Sequence, residues 1–89
     1  MITTFLCIWN DKSRLYYESR LVIVVEAEGE RKAAEKAARA VLANYPEIAE
    51  HESAQTFWSG EFGATEIARF RGDVTDKIVD RTEHHIIYA

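Results

Sequence analysis

A chain of 89 residues, 47% hydrophobic and 29% charged, has the size of one domain and lies outside the composition of disordered chains, which carry fewer apolar side chains and more net charge. One cysteine, Cys7, excludes an intramolecular disulfide or a thiolate cluster, and the longest aliphatic run, Leu21 to Val25, is far short of the ~20 residues that cross a bilayer. The net charge of −4 is uneven: residues 1–45 hold seven basic and six acidic side chains, residues 46–89 four and nine, and no basic stripe suited to nucleic acid is present.

The amino-terminal segment carries neither the basic region nor the cleavage site of a secretory signal, which with the lone cysteine leads to the expectation of a cytoplasmic protein. Ile2 to Trp9 is apolar on both faces, with Phe5, Cys7 and Trp9 on one side and Leu6 and Ile8 on the other, the pattern of a central strand. Cys7 reads there as a small buried hydrophobe. Asn10 to Ser13 are turn formers. From Arg14 to Glu28 the odd positions Leu15, Tyr17, Leu21, Ile23, Val25 and Ala27 are apolar and most even ones charged, a strand period. Fully extended, that stretch would reach ~50 Å, so a bend near Ser19 or an irregular arm is expected, with the strand proper from Arg20 to Ala27.

A helix is expected over about 30–45, because Ala34, Ala37, Ala38, Val41, Leu42 and Tyr45 recur at three- and four-residue steps while Arg31, Lys32, Glu35, Lys36 and Arg39 share the opposite face. Gly29 and Pro46 bound it, and its alanine face allows close approach to a sheet. Ala54 to Ser59 reads as a strand, Gly60 and Gly63 as a turn, Thr65 to Arg71 as a strand, Gly72-Asp73 as a turn, Lys77 to Arg81 as a strand with a short helix as its rival, and Ile86 to Tyr88 as a final strand or docked tail. The sum is a single α+β domain over 1–89: one alanine-rich helix on a mainly antiparallel sheet of four to five strands in the order β-β-α-β-β(-β), without internal repeat or linker.

Motifs with explicit chemistry are missing. No glycine-rich phosphate loop, GxSxG, HExxH or CxxC occurs, so neither a catalytic residue nor a cofactor or metal is assigned and a non-enzymatic protein is expected. Gly60-Glu61-Phe62-Gly63 has the spacing of a backbone-clamping GXXG loop, but its glutamate repels phosphate and a tight turn is the reading; Arg71-Gly72-Asp73 is likewise a turn. His84 and His85 are adjacent, so on a strand they face opposite ways and cannot both ligate one ion.

One interval stands out. No Lys or Arg lies between Arg39 and Arg69, while Glu47, Glu50, Glu52, Glu61 and Glu66 surround Phe57, Trp58 and Phe62. On a strand Phe57 and Trp58 face opposite sides, which either leaves one outward as an anchor ringed by carboxylates or, in so small a domain, buries both, one under the helix and one under the far face of the sheet, with the glutamates only solubilising. These eight residues are the candidate partner-binding set, the partner being a protein with a basic surface, as for accessory or inhibitory proteins of phages and mobile elements that block a basic site on a host protein. A sheet edge that joins two copies as a homodimer is compatible with this module, and two alternatives stay open: a small enzyme or a ligand- or metal-binding domain using His84 or His85 with nearby carboxylates, and a structural subunit that exists only as a homo-oligomer. Neither nucleic acid nor membrane is expected as a partner.

Overall fold

The computed structural model of the chain describes residues 1–13, 19–78 and 84–89. Among these, the elements in chain order are β1 (Ile2–Trp9), β2 (Arg20–Glu26), α1 (Glu30–Asn44), α2 (Pro46–Ala49), β3 (Ala64–Arg71), α3 (Thr75–Ile78) and β4 (His84–Tyr88). The four strands form one sheet in the order β3-β1-β2-β4. β1 pairs antiparallel with both neighbours, Phe5 opposite Ile23 on one side and Arg69 on the other. β4 lies parallel to β2, with Leu21 opposite His85 and Ile23 opposite Ile87.

Registers and alternation together define the faces. Thr3, Phe5, Cys7 and Trp9 share a face with Leu21, Ile23 and Val25 of β2 and Ile87 of β4. Against that face α1 lays Ala33, Ala37, Ala38 and Val41, all buried, and Ile48 of α2 and Phe57 complete the cluster. Alanines keep the helix close enough for sheet side chains to fill the space beneath it. The helix starts beside the Ile2 end of β1, where the Ala27 amide donates to the Met1 carbonyl, and finishes at the Trp9 end, where the Trp9 and Tyr45 rings meet edge to face at 5.3 Å.

Several expectations meet corrections here. The sheet is mixed, because the chain leaves β3 at one end and must reach the opposite end before β4 begins, which makes the last strand parallel to β2. The buried helix face includes Ala33, while Ala34, Leu42 and Tyr45 are only half-buried: the stripe sits about one position earlier than the apolar spacing indicates. Residues 54–59 form turns instead of a strand. There the Phe57 amide donates to the Ser53 carbonyl at 2.9 Å, and the Thr56 hydroxyl serves both the Ser53 amide (2.9 Å) and Glu52 Oε1 (2.7 Å), so local side-chain bonds take up backbone groups that a sheet would need.

Lys77 and Ile78 belong to α3, preceded by an Asx turn in which Asp73 Oδ1 accepts from the Thr75 amide at 3.0 Å and its hydroxyl at 2.7 Å. The short-helix alternative is thus the observed one for that portion, and the rest of the expected strand to Arg81 lies outside the described residues. So does the expected arm at Arg14 to Glu18. At 10–13, Asp11 Oδ1 accepts from the Ser13 amide at 2.9 Å, the Asx turn its composition indicates. Gly72, at φ 81°, closes the turn after β3, with its carbonyl accepting from the buried Thr4 hydroxyl at 2.6 Å.

Candidate functional site

Between α1 and β3 the chain folds over the Trp9 end of the sheet, and this cap contains most of the acidic interval. Pro46 opens α2 at its first turn, where its missing amide costs nothing. Ile48 is the buried anchor, and the Glu52 amide donates to its carbonyl at 2.9 Å. The Asn10 amide donates to the Gly63 carbonyl at 3.0 Å and its side-chain amide to the Gly60 carbonyl at 2.8 Å, which ties the cap to the hairpin turn after β1. Gly60 and Gly63 form the expected turn, the Gly63 amide donating to the Gly60 carbonyl at 3.1 Å.

The eight candidate residues divide by role. Phe57 is 0% exposed and belongs to the core. Trp58 is half-buried, packs on Phe5 at 5.6 Å between ring centroids, and donates its indole N–H to the Ala34 carbonyl at 3.0 Å, which fastens the cap to α1. The adjacent rings avoid opposite sides because the backbone turns between them, so neither is the projecting anchor expected from a strand. Glu52, only 9% exposed, is an internal clamp: one carboxylate oxygen accepts from the Thr56 hydroxyl and the other from the Phe62 amide at 2.9 Å. Glu66 lies on β3 and is taken by Arg69, whose Nη2 donates at 2.7 Å. Glu47, Glu50 and Glu61 are exposed.

Phe62 remains as the ring at the surface. It is half-buried and stacked on His51, centroids 4.3 Å apart and planes 24° from parallel. Glu50 and Glu61, both exposed, are the sequence neighbours of the two stacked rings. The carboxyl end of α1 points to the same end of the molecule with no basic residue in its last turn, and its partial negative charge adds to theirs. An aromatic pair in such a frame offers a flat apolar contact to a cationic side chain.

The histidines at β4 are separated as alternation requires: His84 lies opposite Arg20 and His85 opposite Leu21, so they occupy different faces, and the His85 ring meets Tyr45 edge to face at 6.5 Å. Among the described residues no three His, Cys, Asp or Glu side chains gather closely enough to hold a metal ion. Burial pushes the Cys7 thiol far above its ordinary pKa, with the nearby Glu66 charge adding to the effect and Arg69 opposing it. Among the described residues no helix is long and apolar enough to cross a membrane.

Sequence reasoning passed over one cluster. Arg69 and Arg71, two apart on β3, share the helix-covered face, and Thr3 is registered opposite Arg71. Period two in Arg-Phe-Arg was the available signal. Comparison with protein-family models, with curated proteins and with solved structures finds no match.

Proposed function

We propose that this chain is a small non-enzymatic binding module that docks onto a basic protein surface through its acidic cap. The observation that supports the reading is the stack of exposed His51 on half-buried Phe62, whose sequence neighbours Glu50 and Glu61 are exposed, with exposed Glu47 on the same cap near the negative end of α1. The ring pair supplies burial at the centre of the contact, and the carboxylates supply encounter rate and orientation. Phe57, Trp58 and Glu52 hold the cap in shape, and Glu66 is taken by Arg69 on β3.

Immobilised protein exposed to lysate of its source organism should retain a discrete set of basic proteins at low ionic strength and release them near ~1 M salt, where the screening length falls to ~3 Å. A variant carrying Glu47→Lys, Glu50→Lys and Glu61→Lys should lose that set, and Phe62→Ala should weaken it at unchanged salt sensitivity. Retention of the same proteins by the triple variant would remove the reading.

A second reading, the self-associating subunit, draws on a different observation. On the sheet face opposite α1, Ile8, Ile86 and Tyr88 are 41%, 39% and 64% exposed. Large apolar side chains exposed along one face are material for an interface between copies of the chain.

A further inference from the structure

At the Ile2 end of the sheet, away from the acidic cap, an open cleft of about 290 Å³ is lined by Met1, Thr3, Glu30, Arg69, Phe70 and Arg71. Arg69 is anchored: its guanidinium lies 4.7 Å from the centre of the Phe5 ring and is hydrogen-bonded to both Glu66 oxygens through Nε and Nη2. Arg71 is exposed, and among the described residues it makes no ion pair or hydrogen bond through its side chain. Thr3, 4% exposed, faces the same space from the central strand opposite Arg71. Glu30, in the first turn of α1, supplies the one carboxylate of the lining, within electrostatic reach of Arg69.

We propose that this cleft binds a small oxyanion, a carboxylate or a phosphate, with Arg71 as its principal ligand. An unpaired guanidinium offers a planar fork of donors matched to two oxygens of either group. Arg69, fixed by Phe5 and Glu66, is already ordered and walls the cleft with its charge largely offset by Glu66, so the attraction rests on Arg71, and the Thr3 hydroxyl supplies a neutral donor at the floor. The volume admits a small molecule or one terminal group of a larger one. Glu30 opposes the ligand: its negative charge holds affinity down. The site is independent of the acidic cap, and its failure leaves the docking reading untouched.

Amide chemical shifts of labelled full-length protein, followed while inorganic phosphate, acetate or chloride is added at constant ionic strength, test the assignment. Saturable shifts confined to Thr3, Glu30, Arg69 and Arg71 with phosphate or acetate, but not with chloride, are expected; the stronger of the two identifies the ligand class. Arg71→Gln should weaken binding about tenfold or more, and its spectrum away from the cleft should be unchanged because the side chain is exposed. Glu30→Gln should tighten it by removing a like charge. Shifts that never saturate or spread over the whole surface, equal binding by Arg71→Gln, or weaker binding by Glu30→Gln would each overturn the proposal.

Discussion

Two side chains decide how this small protein answers pH and substitution. Cys7 is fully buried on the central strand, and burial drives its thiol pKa up. The fold therefore keeps a proton that the unfolded chain, with a thiol pKa near ~8.5, releases. That contribution is complete below about pH 8.5 and is lost progressively as pH rises toward the folded value, at up to about 1.4 kcal/mol per pH unit. Urea unfolding of the native protein and of Cys7→Ala from about pH 7 to 10 should show a steeper decline in the native protein; parallel curves would mean that the thiol ionises in the folded state. Glu52 is the second case. With a carboxylate accepting from both Thr56 and the Phe62 amide, Glu52→Ala leaves a part-buried backbone donor without its acceptor and should cost about 1–2 kcal/mol, whereas Glu52→Gln retains acceptor capacity and should cost less. Its role was hidden in the sequence. A glutamate in an acidic run looks like its neighbours, and only the fold brings the Phe62 amide, ten residues away, onto its oxygen.

At the scale of elements, legibility follows how much of each pattern was decided locally. β1 and β2 are central strands with apolar residues on both faces, and α1 has a long three-four repeat, so their positions were readable to within a residue or so. The cap was not, because its shape comes from Ser53, Thr56 and Glu52 bonding to one another and from two glycines at close approaches. A Cβ on Gly63 would collide with the Phe57 backbone carbonyl, which itself accepts from the Ala64 amide at 3.2 Å. Backbone cannot yield as a side-chain tip can, so Gly63→Ala should destabilise by about 1–3 kcal/mol in chemical denaturation. Gly60 meets the Glu52 carboxylate instead. Trp58→Phe keeps an aromatic ring packed on Phe5 but loses the bond to the Ala34 carbonyl, and should cost about 1 kcal/mol. Hydrogen exchange should then rise first in the cap, since the lost bond is the one joining it to α1; uniform exchange across the sheet would contradict that role.

For the molecule as a whole, the mixed sheet was beyond local pattern, because strand direction depends on where the β3–β4 connection delivers the chain and not on what β4 contains. That topology leaves β3 and β4 as the two edges and separates the surface into distinct regions: an acidic cap at one end, an arginine cleft at the other, and the face bearing Ile8, Ile86 and Tyr88. These regions make different demands in solution. Contact through apolar side chains strengthens or holds with added salt, whereas docking through Glu47, Glu50 and Glu61 weakens. Light scattering over a concentration series, at low and high ionic strength, thus separates self-association from charge-steered docking. If the sheet face joins two copies, mass should rise toward twice 10.2 kDa with concentration and persist in high salt. Combined Ile8→Lys and Ile86→Lys, on side chains already 41% and 39% exposed, should then hold the protein monomeric without lowering its thermal midpoint in the monomer range. A monomer at every concentration would remove the self-association reading and leave the proposed docking through the acidic cap to stand or fall on the charge-reversed variant.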